Sequence, residues 1–141
     1  MHLAREARPR AELGFLLAFL YGFLAFSAGG RALYQLTTRF DEAPLAVCLS
    51  LAAALVYLFA CTQLTLRTPT AWRLVAGIAT FELVGVLVVG AASVLRPEWF
   101  PRHTVWSAFG LGYGLVPLAL PAVSLAWLNR RATRRAFGVG R

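Results

Sequence analysis

The side chains in this sequence best suited to proton or ion chemistry away from water are Glu82, Tyr21 and Tyr57. Glu82 lies about two residues from the middle of an apolar run spanning about 74–95. Placing a charge at the centre of a bilayer costs roughly 3 kcal/mol on insertion scales, so such an acid is turned inward and paired, or carried in its neutral form. Glu82 stands about eight residues from one end of its run, and Tyr21 and Tyr57 fall at the same depth of two other runs. In a fourth run, Pro117 and Pro121 each remove a backbone donor and free a carbonyl one turn earlier, at Tyr113 and Pro117. Glu82 can therefore reach a tyrosine oxygen or a freed carbonyl. Two roles follow, a proton or cation site and a structural hydrogen bond between helices, and the residues alone leave both open.

A second group is Arg130, Arg131, Arg134 and Arg135, which repeat at helical spacing after the last apolar run. They suit anionic lipid headgroups at about 1 kcal/mol per arginine, or they serve only to fix topology. Other chemistry lacks its residues. His2 and His103 sit outside the apolar runs, and no His/Cys/acid cluster has metal-ligand spacing. Cys48 and Cys61 are thirteen residues apart on one run, about 20 Å along a helix, too far to bridge. Gly29-Gly30-Arg31 lacks the phosphate-loop pattern. Leu111-Gly-Tyr-Gly114 has no preceding pore helix to make it a selectivity filter. We expect no catalytic residue, no metal and no cofactor.

The elements that position these groups follow from composition. Of 141 residues, 59% are hydrophobic and 14% charged, with a mean hydropathy of +0.65; soluble domains carry about 25% charged residues. This excludes a disordered chain and points to an all-α integral membrane protein. All 14 basic residues are arginine. They flank apolar runs and form no basic face on a soluble module, so nucleic acid is not an expected partner.

Four runs have the roughly 20-residue length of a membrane span: about 13–30, 45–66, 74–95 and 104–128, followed by a basic tail, 129–141. We expect one domain, a bundle of four antiparallel transmembrane helices. Thr68 and Pro69 suit the N-cap and first residue of the third helix, and Pro97 ends it. Asp41 and Glu42 stand before the second helix, where negative charge is favourable. The stretch 29–44 has Leu33, Leu36 and Phe40 at helical spacing, which extends the first helix or forms an interfacial one. Trp72, Trp99, Trp106 and Trp127 all fall at span ends, as an aromatic belt would. Ala79, Glu82 and Gly85 share a face of a third helix rich in small residues, which favours close helix packing. The fourth run carries Gly110, Gly112, Gly114, Pro117 and Pro121, which weaken a regular helix.

Orientation comes from arginine. Arg5, Arg8, Arg10, Arg67, Arg73, Arg130, Arg131, Arg134, Arg135 and Arg141 fall on one side, against Arg31, Arg39, Arg96 and Arg102 on the other. Both termini are therefore expected in the cytoplasm, with the chain in the plasma (inner) membrane. Cleavage near Ala25-Phe26-Ser27, if the first run were a signal peptide, would leave three spans.

The stretches Ser27-Ala-Gly-Gly-Arg-Ala-Leu-Tyr-Gln35 and Thr104-Val-Trp-Ser-Ala-Phe-Gly-Leu-Gly-Tyr-Gly114 resemble those of small, uncharacterised four-span membrane proteins of GC-rich Gram-positive bacteria. That resemblance implies the fold and carries no catalytic residues. The layout is also similar to the small multidrug-resistance transporters, whose glutamate lies in the first helix, whereas Glu82 is in the third. A weaker similarity is to DoxX-like four-helix proteins. The leading expectation is a non-enzymatic accessory or assembly subunit with a membrane-protein partner, because the longest loop, about sixteen residues, is too short for a catalytic module. The alternative is a small homo-oligomeric transporter or proton-coupled permease centred on Glu82.

Overall fold

A computed structural model describes residues 2–140, with side chains for 12–140. Arg5, Arg8, Arg10 and Arg141, which enter the arginine count, lie outside the described side chains. The described residues are helical and contain no strand: α1 (His2–Thr38), α2 (Pro44–Leu66), α3 (Pro69–Leu95), α4 (Val116–Leu128) and a short α5 (Arg131–Ala136), with 3₁₀ turns at Phe40–Glu42 and Pro97–Trp99 and a longer 3₁₀ segment at Ser107–Tyr113. Three helical stretches are long and apolar enough to cross a membrane, Glu12–Thr38, α2 and α3.

The helix starts obey local chemistry. The Thr68 hydroxyl accepts from Ala71 N at 3.1 Å, and Pro69 opens α3 where its missing N–H costs nothing. α3 stops at Leu95, two residues before Pro97. α1 does not stop at Gly29-Gly30. It continues to Thr38, so the interfacial stretch is an extension of the first helix. Its residues Leu17, Tyr21, Leu24 and Ala28 are buried, so α1 is part of the core. α1 and α2 meet through small residues: Ala28, Ala53, Ala54 and Ala60 are buried, and a Cβ on Gly22 would come within 3.3 Å of Cys61 Sγ. Ahead of α2 the acids make no helix cap; Ala43 is the N-cap and Glu42 turns to arginines instead. The thiols are free, with Cys48 exposed on the outside of the bundle.

The largest departure from expectation is in the fourth run. It is not one helix over 104–128. Ser107–Tyr113 and α4 meet at 98°, and α4 alone has 13 residues, about 20 Å at 1.5 Å per residue against a hydrocarbon core of about 30 Å. The break contains left-handed backbone at Ala108 (φ 47°), Phe109 (φ 60°) and Gly110 (φ 81°), and again at Gly114 and Leu115 (both φ 63°). Glycine accepts this conformation freely; alanine, phenylalanine and leucine do so at a cost.

Candidate functional site: a polar cluster beneath a broken span

Glu82, on α3, is completely buried, and so are Tyr21 on α1 and Tyr57 on α2. The Tyr21 hydroxyl donates to Glu82 Oε2 at 2.9 Å, and the two tyrosine rings lie 6.0 Å apart between centroids. Depth matching thus brings Tyr21 to Glu82. Tyr57 joins the cluster differently, with its hydroxyl accepting from Trp106 Nε1 at 2.9 Å. Glu82 Oε1 has no hydrogen-bond partner among the described residues, and neither Tyr113 O nor Pro117 O, the carbonyls expected to be freed, serves it. Ser124 Oγ on α4 is also buried and unpartnered by distance, although it stands beside Tyr21.

Trp106 was expected in an interfacial belt. It is buried instead, because the break turns it inward against α3. A Cβ on Gly85 would meet the Trp106 ring at 3.0 Å, so the small residue beside Glu82 makes room for an indole. Gly90 does the same for Phe109: its Cβ would lie 2.5 Å from the ring and 2.8 Å from Phe109 N. The small face of α3 therefore receives the broken segment. Trp127 is buried as well, whereas Trp99 remains exposed.

Side-chain hydroxyls hold this segment. Thr104 Oγ1 accepts from Trp106 N and Ser107 N at 3.1 and 3.0 Å, and Ser107 Oγ accepts from Thr104 N at 2.8 Å. Ser93 Oγ accepts from Ala108 N at 2.8 Å, tying the first left-handed residue to α3. These side chains satisfy backbone donors that a helix would otherwise use. Thr104, Ser107 and Ser93 were not singled out by sequence reasoning; the Thr104/Ser107 spacing and the glycine run after them were the available signals.

No protein-family model matches this chain, and no curated protein or solved structure is significantly similar to it.

Two further polar regions flank the bundle. At one end, Arg102 donates to Glu42 Oε2 at 2.8 Å and Arg39 reaches the same oxygen at 3.5 Å. The Arg102 hydrogen bond holds the Glu42 carboxyl below its ordinary range. Arg31 donates to the His103 carbonyl at 3.0 Å beside a cleft of about 330 Å³ floored by Thr104, Ser107 and Ala108. At the other end stand Arg130, Arg131, Arg134 and Arg135, all exposed. Among the described residues, no group of three His, Cys, Asp or Glu side chains could hold a metal ion.

Proposed function

We propose that this chain is a multi-pass plasma-membrane protein that serves as an accessory or assembly subunit of a membrane complex and is not an enzyme. In this reading Glu12–Thr38, α2, α3 and the bent pair Ser107–Leu128 are four antiparallel spans with both termini in the cytoplasm. Contacts between like ends support it. Trp72 near the start of α3 donates to Leu128 O at the end of α4, and Gly14 near the start of the stretch Glu12–Thr38 lies against the Trp127 ring. At the opposite end, Arg31 meets His103 and Arg102 meets Glu42. The first end carries Arg67, Arg73 and the four arginines just after α4, an excess that supports the cytoplasmic side for it. Membership of the four-span group of GC-rich Gram-positive bacteria belongs to the same proposal.

The observation that carries the accessory role is the sealing of Glu82. Its side chain has no exposed surface and its bond to Tyr21 joins α1 to α3, while Trp106–Tyr57 joins the broken segment to α2. Polar groups so spent act as interhelical staples and offer no surface to a substrate. What such a scaffold presents is its outside. There, Phe15, Phe19, Phe23 and Phe26 of α1 border a groove of about 410 Å³ that includes Gly22 and Cys61, a shape suited to a helix of a partner protein.

One observation favours the permease reading: Glu82 Oε1 is buried without a partner, close to a broken span of the kind that lines transport sites. The substitution Glu82→Gln separates the two. Glutamine keeps the size and can still accept from Tyr21, but it cannot exchange a proton. For an accessory subunit, Glu82→Gln stays inserted, folded and competent in complementation, whereas Glu82→Leu loses stability because it leaves Tyr21 unpaired. A folded Glu82→Gln protein without activity would overturn the accessory reading. Purification in mild detergent gives a second measurement: a defined hetero-complex weakened by Phe19→Ala and Phe23→Ala is expected, and a stable homodimer that binds a small cation would refute it.

A further inference from the structure

The segment after α4 is not a loose basic tail. α5 turns back under the bundle, and Phe137, just beyond it, is buried, with its ring edge-to-face on Trp127 at 6.0 Å. Thr133 is buried on the same side. Gly138 closes the helix in a left-handed conformation (φ 73°) against Pro69, and Val139 N returns to Arg134 O at 2.7 Å. Arg134 lies over the Trp72 ring at 5.4 Å. This docking fixes a cleft of about 420 Å³ lined by Asn129, Arg131, Arg134, Arg135, Val139 and Gly140. Arg130, grouped with these arginines by spacing, is not part of the lining.

The chemistry of the cleft is one-sided. Three guanidinium groups supply only donors, and the Asn129 amide, which donates one N–H to Leu125 O, keeps its second N–H and its oxygen. No carboxylate among the described residues forms a salt bridge with Arg131, Arg134 or Arg135; the three ion pairs all involve Arg39, Arg96 or Arg102 at the other end. A topology anchor needs positive charge on the correct side and nothing more. It does not need a buried phenylalanine, a glycine-closed helix turn and a returning strand of backbone to hold that charge in one shape. Arginine forks in a fixed cleft match the oxygens of a phosphate. Trp72, half-buried at this end, suits headgroup level.

We propose that Asn129, Arg131, Arg134 and Arg135 form a built site for the phosphate of an anionic phospholipid headgroup. The site rests on the reading that the chain is embedded in a bilayer with this end at the headgroups. The separate role of Glu82 does not enter.

The test uses the full chain in detergent, with thermal stability measured after adding phosphatidylglycerol, phosphatidylcholine or inorganic phosphate. Phosphatidylglycerol is expected to raise the midpoint by several degrees, and the other two to leave it within error. Arg131→Gln with Arg135→Gln should remove the increment and leave the fold intact, since both side chains are exposed and make no ion pair among the described residues. Phe137→Ala keeps every charge and opens the cleft, so it should also remove the increment. A Phe137→Ala protein that keeps the phosphatidylglycerol effect would overturn the site and leave a diffuse basic patch. An equal response to inorganic phosphate would overturn the lipid as ligand. Should Phe137→Ala fail to fold, Gly138→Val, strained by its positive φ, replaces it with the same two outcomes. Resistance of the chain to alkaline extraction from membranes is scored in parallel. Its loss would refute the membrane reading itself, which distinguishes that failure from failure of the site.

Discussion

The placement of the broken segment on α3 can be tested with a single substitution made at two glycines of that helix. At Gly90 an added Cβ would stand 2.5 Å from Phe109 Cδ1 and 2.8 Å from Phe109 N, where carbon contacts settle at about 3.5–4.0 Å. Phe109 N belongs to the left-handed turn, which Ser93 Oγ pins at the adjacent Ala108 N. Relief therefore requires moving backbone by about 1 Å as well as turning a ring. Overpacking of this kind costs about 1–3 kcal/mol. Gly77, on the same helix, has nothing within 4 Å of the added carbon. In both positions alanine gains about 1 kcal/mol of helix propensity over glycine. That gain cancels when the two variants are compared, so Gly90→Ala should be less stable than Gly77→Ala by about 1–3 kcal/mol, with Gly77→Ala at or above wild type. Reversible unfolding in mixed detergent micelles, followed by tryptophan fluorescence, measures the difference. Gly85→Ala should fall between, because its closest neighbour is the Trp106 ring edge at 3.0 Å and a ring can tilt. Equal stability of Gly90→Ala and Gly77→Ala would refute the packing of Phe109 on α3.

Trp106→Phe and Tyr57→Phe should each cost about 1–3 kcal/mol by leaving the other polar group buried and unpaired, and the double variant should cost less than their sum; additive losses in the same unfolding assay would contradict the Nε1–hydroxyl bond. The Glu42 carboxyl, held low by Arg102, contributes stability that is present above the ordinary glutamate value of about 4.5 and is lost as pH falls through its lower folded value. The pair is exposed, so the effect is small and screened by salt. Below that value, wild type should lose midpoint temperature relative to Glu42→Gln at low ionic strength, and parallel pH profiles for the two proteins would show that the contact with Arg102 does not form in solution.

What could be read from the sequence was whatever depended on composition and local chemistry. Thr68 and Pro69 start α3 because a hydroxyl cap and a proline at the first turn are local effects, independent of tertiary packing. Tyr21 could be paired with Glu82 because, in a bilayer, depth along a helix is nearly a coordinate shared by all spans. The fourth run could not be read the same way. Its apolar average is that of a helix, and the break is made by positive φ at Ala108 and Phe109, residue types that give no sign of it. Gly110, Gly112, Gly114, Pro117 and Pro121 weaken a regular helix there, but they do not place the bend. With the position of the bend not legible, Trp106 was placed at the headgroups, since tryptophan at a span end ordinarily sits there. The docked tail was missed for a similar reason: a single Phe137 after four arginines has no periodicity to announce that it is buried.

The break and the polar cluster form one structural unit. Left-handed backbone at Ala108, Phe109 and Leu115 costs about 1–3 kcal/mol per residue and persists only where the surroundings over-determine it. Here the surroundings are the paired hydroxyls of Thr104 and Ser107, the Ser93 hydroxyl on Ala108 N, and the Trp106 indole on the Tyr57 hydroxyl. Straightening residues 104–128 into one helix would relieve the strain. It would also withdraw Trp106 from Tyr57, leave a gap over Gly85 beside Glu82, and take Ser93 from its backbone donor. The first loss leaves buried Trp106 Nε1 and the Tyr57 hydroxyl unpaired, and the others cost packing at Gly85 and a hydrogen bond at Ser93. The segment therefore stays bent because its bent form closes the space above Glu82, and the glycines of α3 are the residues that make that closure sterically possible.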